Sequence, residues 1–322
     1  MEEFKYLIPE ESIDAILSNV EVLRDIEGHL RKVFIEHGCL EVLMPSFDYV
    51  DLYHYMDMGI EEEKMFQLIN HEGKRIALRT DFTVPLVRLY NSQNNNEEKR
   101  YCYFGKVYRK EKRHKGRSSE IFQAGVELIG KAGIEGDQEC LKIIQETIQY
   151  LKLKTVKIEI SSAKFYHRLC ELVDDSSFKR ILKKRDISSM ETLIQKKNIH
   201  GSFKQFLLKL PEAFGDISVV EEMITIVEDQ QLKDALIELK DMYESLEIKD
   251  IFSFDLAMTP SMKYYTGIMI KGYSPYSADT IITGGRYDRL MDRFNKDVPA
   301  IGFSYDLSYI LKAIEKEEED NA

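Results

Sequence analysis

The stretch from Tyr101 to Gly130, YCYFGKVYRKEKRHKGRSSEIFQAGVELIG, decides the fold because two strand patterns flank a basic turn. Residues 101–108 alternate aromatic with small or polar residues, which is the period of a half-buried strand. Residues 121–129 alternate less cleanly, with Gln123, Gly125 and Glu127 on one side. The sequence therefore predicts a β-hairpin.

The turn of this hairpin carries more positive charge than a buried turn could hold. Its cations are Arg109, Lys110, Lys112, Arg113, His114, Lys115 and Arg117. Glu111, Gln123 and Glu127 supply acceptors, so one hairpin combines guanidinium and carboxylate groups that could hold a zwitterion or a phosphate. A solvated loop explains the same charges, because loops are exposed. Period and charge alone leave both interpretations open.

Six residues of the hairpin resemble the second signature motif of class II aminoacyl-tRNA synthetases in its histidyl form. The motif is Arg-x-Glu, Gly-Arg, then Gln and Glu, and the matching residues are Arg109, Glu111, Gly116, Arg117, Gln123 and Glu127. The segments 263–267 (KYYTG) and 284–288 (GGRYD) resemble the Leu-Asp-Tyr-Tyr-Thr-Gly and substrate-floor segments of the same family. Residues 79–83 (RTDFT) resemble its Arg-Pro-Glu-Gly-Thr, with Asp81 replacing the glutamate.

The resemblance implies a histidine pocket. Its expected members are Asp81, Thr83, Arg109, Gln123, Glu127, Tyr264 and Tyr265. From the residues alone, the cap of a helix that begins near Thr83 is the better explanation of Asp81 and Thr83. Tyr264 and Tyr265 are expected on a strand over 264–271, where adjacent side chains point to opposite faces and only one can line a pocket.

Composition limits the function classes. The chain has 322 residues, is 43% hydrophobic and carries a net charge of −11, a field that repels nucleic acid. Binding of tRNA would need a strong local basic patch, which only residues 109–117 offer, and we expect no tRNA binding. Four scattered cysteines without a Cys-x-x-Cys motif predict neither disulfides nor a metal site, and no cofactor is expected. An acidic start and the absence of a long apolar run exclude a secretory signal and a membrane span. These features predict a cytoplasmic protein.

The first fifty residues predict a helix and an edge. Apolar residues recur at helical spacing over 12–37, with Ser12 as N-cap and Gly38 as stop. Residues 39–50 are strand-like around Pro45, which favours an edge strand or an interface. In the synthetase family a long helix, a glycine, a strand and a proline form the first class II signature, which builds a homodimer. A helix packed on the sheet of its own monomer fits the same residues.

The remaining pattern predicts a mixture of strands and helices, and the resemblance implies an α+β fold, a class II synthetase-like antiparallel sheet flanked by helices. Hairpin strands are predicted at 66–70 and 75–79, a helix over 137–151, and strands near 155–161, 251–258 and 280–285. Residues 300–303 are expected to lead into a last helix, followed by a frayed acidic tail. Residues 1–163 and 249–322 form the expected core, and 164–248 a helical insertion. No anticodon-binding domain is expected.

Three substitutions decide between activating histidine and only binding it. The family's catalytic arginine and two motif arginines fall on Pro260, Ser119 and Tyr309, none of which can neutralise a phosphate. A pocket without these cations resembles the ATP phosphoribosyltransferase regulatory subunits, paralogues of histidyl-tRNA synthetase. The resemblance implies no catalytic residues, a hetero-octamer with the short-form catalytic subunit, and feedback inhibition by L-histidine in histidine biosynthesis. The alternatives are a histidyl-tRNA synthetase core or other histidine-activating adenylate-forming enzyme, and a scaffold with an empty pocket.

Overall fold

The computed structural model describes residues 17–56, 59–93, 96–110 and 118–320. Its strands, in chain order, are β1 (Leu40–Glu41), β2 (Phe47–Tyr49), β3 (Gln67–Ile69), β4 (Arg75–Leu78), β5 (Lys99–Tyr108), β6 (Glu120–Ile129), β7 (Lys157–Ser162), β8 (Phe214–Gly215), β9 (Phe252–Asp255), β10 (Ile268–Tyr273), β11 (Ile282–Arg286) and β12 (Ala300–Asp306). Nine of them form one sheet in the order β1-β5-β6-β12-β11-β10-β7-β9-β8, and β2-β4-β3 form a smaller sheet.

The α-helices of the described residues are numbered in chain order. They are α1 (Leu17–Glu36), α2 (Val50–Met56), α3 (Thr83–Ser92), α4 (Gly133–Tyr150), α5 (Ala163–Val173), α6 (Phe178–Lys184), α7 (Ile187–Lys196), α8 (Gly201–Lys209), α9 (Ile217–Ile226), α10 (Gln230–Glu244) and α11 (Leu307–Asp320). Short 3₁₀ helices span Glu62–Lys64, Leu210–Glu212 and Asp288–Phe294. Within the described ranges, no helix is both long enough and apolar enough to cross a membrane.

The predicted hairpin is confirmed as the antiparallel pair β5 and β6, with Tyr103 opposite Gly125 and Tyr101 opposite Glu127. Side chains along the hairpin point alternately to the two faces of the large sheet. Val126 and Leu128 join the main core, while Glu127 lies on the opposite face. Residues 111–117, which carry most of the basic turn, lie outside the described residues.

The two faces of the large sheet are covered differently. Apolar residues of α1, α4 and α11 pack on one face and share a core with the helices between α5 and α10. The other face is covered by α2, α3, the smaller sheet and the 3₁₀ helix Asp288–Phe294, which form a second core. The second core does not fill its face of the sheet completely, and a cavity remains there.

The predicted edge and helix stop are confirmed. Helix α1 ends before Gly38, whose φ of +74° is a conformation that favours glycine. Strand β1 is the free edge of the large sheet, and Pro45 lies in the break between β1 and β2. The predicted N-cap, Ser12, lies outside the described residues.

Several expectations were wrong in detail. The sheet is mixed, because β1 pairs with β5 and β7 pairs with β9 in parallel. Residues 300–303 lead into the last helix as predicted, but they do so as part of strand β12, in the middle of the sheet, which was not predicted. The acidic tail does not fray at residue 315, since α11 continues to Asp320. Its Glu317 carboxylate is buried and accepts the backbone N–H groups of Lys154 at 2.8 Å and Thr155 at 2.9 Å.

Residues 163–248 are mainly helical, as the sequence predicts, and contain α5 to α10. The two-residue strand β8 interrupts the helices and pairs with β9 at the far edge of the sheet. Buried residues of these helices belong to the same hydrophobic core as the sheet. The division into a core and an insertion stays a prediction.

Candidate functional site

A cavity of about 450 Å³ lies on the face of the large sheet opposite α1 and α4. Strands β5, β6, β11 and β12 supply its floor, and the turns before α3 and β10 supply its walls. All seven residues that the sequence places in one pocket line it: Asp81, Thr83, Arg109, Gln123, Glu127, Tyr264 and Tyr265. Segments nearly two hundred residues apart in the sequence therefore converge on one space.

Glycines keep this space open. Gly302 on β12 is the cross-strand partner of Glu127 on β6. A Cβ atom at position 302 would lie 1.7 Å from Glu127 Oε2, so the carboxylate occupies the volume of the missing side chain. Gly125 is similarly covered by the Tyr103 hydroxyl, which would lie 2.3 Å from an added Cβ. The chain needs glycine at both positions because the polar groups lie directly on the sheet.

Glu127 is the most constrained polar group of the site, with 2% of its surface exposed. Its Oε1 accepts the Thr83 hydroxyl at 2.9 Å, and its Oε2 accepts the Tyr287 hydroxyl. Burial raises the pKa of Glu127 to about 7, while the hydrogen bonds from Tyr287 and Thr83 act in the opposite direction. Both oxygens are therefore fixed by hydroxyl donors, and each has lone-pair capacity for a further donor.

The raised pKa of Glu127 gives a testable pH dependence of stability. A glutamate in the unfolded chain has a pKa of about 4.3, so between that pH and about 7 the folded state binds more protons. The contribution of Glu127 to the free energy of unfolding therefore falls as pH rises through this window. We expect wild-type protein to lose more stability than Glu127→Gln between pH 5 and pH 8 in urea titrations. Parallel pH profiles for the two proteins would contradict the assignment.

Asp81 is a second buried carboxylate in the cavity wall. Its Oδ1 accepts the backbone N–H of Val84 at 2.9 Å in the first turn of α3, and its Oδ2 accepts the Thr80 hydroxyl at 3.1 Å. Burial raises the pKa of Asp81, and the charge of Arg109 acts against this rise. Asp81 therefore has both roles that the sequence offered, since it stabilises the start of a helix and also lines the cavity.

Arg109 supplies the positive charge of the site. Its Nε donates to the Thr80 carbonyl at 2.7 Å, which holds the guanidinium beside the turn that contains Asp81. Among the described residues that line the cavity, it is the only arginine or lysine. One cation and several carboxylates in a single pocket suit a ligand that carries both a carboxylate and N–H donors.

The expectation that only one of the adjacent tyrosines lines the pocket was wrong. Tyr264 and Tyr265 lie in the turn before β10, which begins at Ile268, so strand alternation does not separate them. Both line the cavity, with ring centroids 5.2 Å apart and planes at 82°. Together they form an aromatic corner over the sheet.

Three aromatic residues of the wall were not predicted individually. Tyr287 follows β11 and contacts Glu127 through its hydroxyl, and its ring meets Tyr264 edge-on at 5.7 Å. Phe82 and Tyr103 stack with centroids 4.1 Å apart. Tyr287 could have been found within the GGRYD segment, and Tyr103 from its position opposite Gly125.

The three positions without the expected arginines surround the same region. Tyr309, in the first turn of α11, lines the cavity. Ser119 and Pro260 are buried beside lining residues. Asp306 caps α11 by accepting the N–H groups of Ser308 at 3.0 Å and Tyr309 at 3.2 Å, and burial raises its pKa to about 6. None of these groups supplies positive charge.

Comparison with known proteins agrees with this architecture. Residues 13–310 match the family described as histidyl-tRNA synthetase. An ATP phosphoribosyltransferase regulatory subunit of Lactococcus lactis is 42% identical over 328 residues, covering 100% of both chains. One from Bacillus cereus is 29% identical over 99% of this chain and 78% of its own. A solved structure from Bacillus halodurans is described as an ATP phosphoribosyltransferase regulatory subunit/histidyl-tRNA synthetase. It superposes with a TM-score of 0.87 at 24% identity, and the superposition covers 97% of this chain and 84% of that chain.

The family match covers most of the chain, and the 42% identity extends over its full length. The chain belongs to the histidyl-tRNA synthetase-like family and, within it, to the ATP phosphoribosyltransferase regulatory subunits.

Proposed function

We propose that this chain is a non-catalytic subunit that binds L-histidine and is required for the activity of a short-form ATP phosphoribosyltransferase catalytic subunit. In this role it would act in the cytoplasm at the first step of histidine biosynthesis and transmit feedback inhibition by histidine. Full-length similarity to relatives named as regulatory subunits supports the partnership. The transfer of phosphoribosyl to ATP would take place on the partner.

The chemistry of the cavity supports histidine as the ligand. Its carboxylate would pair with Arg109, which is held in place by the Thr80 carbonyl. Its N–H donors would face the buried carboxylates of Asp81 and Glu127, and its imidazole the aromatic corner of Tyr264 and Tyr265. Gln123, which is buried on the same face, would add an amide contact.

One observation carries the non-catalytic assignment. The pocket is combined with uncharged side chains at the positions where activation of histidine by ATP needs cations. Adenylation develops charge on the phosphates of ATP, and preformed positive groups stabilise that charge. Tyr309, Ser119 and Pro260 stand at the three corresponding positions. Binding without activation is the function that remains.

The experiment that tests this assignment is histidine-dependent exchange of pyrophosphate into ATP by the purified chain. We expect no exchange above background, even with saturating histidine, while calorimetry detects histidine binding in the presence of the catalytic subunit. Arg109, Glu111 and Arg117, which bind ATP in the synthetase family that the chain resembles, keep a histidine-activating enzyme as the second candidate. Pyrophosphate exchange at a useful rate would establish it. Absence of both exchange and histidine binding would instead indicate a scaffold with an empty pocket.

We propose further that two copies of this chain pair through the first class II signature, within a hetero-octamer. Large apolar side chains are exposed at the free edges of both sheets: Leu40, Leu43, Phe47, Tyr49, Leu68 and Ile69. Leu43 alone is 90% exposed. A partner that covers these apolar side chains would remove them from water and would also protect the edges of the sheets.

Leu43→Asp is expected to weaken self-association by at least tenfold, because it places a charge in the centre of an apolar interface. Sedimentation equilibrium would measure the change. Ile237→Asp, which alters an exposed apolar residue on α10, is the matched control and should leave self-association unchanged. An unaltered dimer in Leu43→Asp would place the interface elsewhere.

A further inference from the structure

We propose that Arg79 is a positioning residue that couples the apolar face around Leu43 to the wall of the cavity. In consequence, pairing of two chains and histidine binding should strengthen each other through this side chain. This inference rests on the proposed function, which supplies histidine as the ligand and a second copy of the chain as the occupant of the apolar face.

Arg79 holds the exposed loop of residues 42–46 from within. It follows β4 and is buried, with 7% of its surface exposed. Its Nη1 donates to the carbonyls of Met44 at 2.7 Å and Pro45 at 3.1 Å, and its backbone N–H donates to Ser46 at 2.9 Å. The Val42 N–H also donates to the Cys102 carbonyl at 2.9 Å, so Arg79 fixes the part of this loop that follows Leu43, from Met44 to Ser46.

The same guanidinium reaches strand β5 and the cavity wall. Arg79 Nε donates to the Lys106 carbonyl at 2.7 Å, and Tyr108 N–H donates to the Arg79 carbonyl at 2.9 Å. The guanidinium carbon lies 4.4 Å from the centre of the Phe82 ring. Phe82 stacks on Tyr103 at 4.1 Å and 15°, and both rings line the cavity.

The contacts form an unbroken series from the surface to the ligand space. A planar fork with fixed donor directions cannot follow a shift of the Met44 and Pro45 carbonyls without moving relative to Phe82. Gly105 packs closely against both side chains, since an added Cβ would lie 2.8 Å from Arg79 Nη2 and 3.1 Å from Phe82 Cζ. The close packing leaves the guanidinium little freedom to absorb such a shift.

The test is thermodynamic linkage between the two binding events. If pairing and histidine binding are coupled, histidine tightens self-association by the same factor by which pairing tightens histidine binding. We expect a factor of about five or more for the wild-type chain, the lower end of usual coupling. Sedimentation equilibrium with and without saturating histidine, together with calorimetry above and below the dimer dissociation constant, measures it in both directions.

Arg79→Lys keeps the positive charge but loses the planar guanidinium. It should reduce the coupling factor between pairing and histidine binding to about one, while dimers still form. Gly105→Ala keeps the Arg79 side chain but displaces its guanidinium and the Phe82 ring, so it should also lower the coupling factor. This variant covers the case in which Arg79→Lys does not fold. Arg75→Lys, at the start of the preceding strand β4 and paired with Glu62 at the surface, is the matched control and should keep the full coupling factor.

The outcomes separate the two proposals. A wild-type chain that binds histidine and pairs without linkage, or linkage that survives both Arg79→Lys and Gly105→Ala, would overturn the role of Arg79 and leave the proposed function intact. A wild-type chain that does not bind histidine, alone or with the catalytic subunit, would refute the proposed ligand and with it this inference.

Discussion

Replacing Gly302 by alanine is expected to abolish detectable histidine binding and to lower the free energy of unfolding by about 1–3 kcal/mol, as overpacking in a core usually does. The added Cβ would lie 1.7 Å from Glu127 Oε2 and 2.8 Å from the Val126 carbonyl oxygen. The carboxylate would have to leave its position, which breaks the hydrogen bonds from Thr83 and Tyr287. Calorimetry with histidine and urea unfolding measure the two effects.

Gly28→Ala is the matched control for this substitution. Gly28 lies within α1, and an added Cβ there meets nothing within 4 Å. Because alanine favours a helix over glycine by about 0.8–1.0 kcal/mol, the control should be stabilised and should bind histidine normally. Normal histidine affinity in Gly302→Ala would show that the floor of this cavity does not form the binding site.

Glu127→Ala should weaken histidine binding by about 1.5–3 kcal/mol, the usual contribution of a hydrogen bond to a charged group. This corresponds to a loss of roughly tenfold or more in affinity. The carboxylate is buried, and hydroxyl donors fix both of its oxygens, so its removal leaves the Thr83 and Tyr287 hydroxyls without this acceptor and the ligand without one anionic partner. Calorimetry and the histidine inhibition curve of the complex would report the loss.

Glu120→Ala is the control for the loss of one carboxylate. Glu120 also lines the cavity, but its side chain is 40% exposed and pairs with Lys106 at the surface. Solvent screens such a pair, so we expect less than a threefold change in histidine affinity. Equal effects of the two substitutions would indicate that the general charge of the pocket, rather than Glu127, attracts the ligand.

The parts of the fold that the sequence predicts are those encoded by local patterns. The β5–β6 hairpin follows from alternation, the end of α1 from Gly38, and the start of α3 from Asp81 and Thr83. The seven cavity residues were identified by resemblance to a family. Spacing and charge alone left a solvated hairpin as plausible as a binding site, and favoured a helix cap for Asp81 and Thr83.

The remaining features depend on contacts between distant segments. Strand β12 was missed because a central strand is covered on both faces and its small Gly302 obscures the alternation. The bond between Tyr287 and Glu127 joins residues 160 positions apart, and Glu317 closes the turn before β7 from the far end of the chain. Tyr264 and Tyr265 share one wall because a turn replaces the predicted strand.

The most direct measurement is the rate of phosphoribosyl-ATP formation by the short-form catalytic subunit, with and without this chain and over a range of histidine concentrations. We expect little activity from the catalytic subunit alone, a large increase when this chain is added, and inhibition by histidine that Glu127→Ala weakens. A rate that does not change on addition of this chain, while the two proteins co-purify, would contradict its role as the required regulatory subunit.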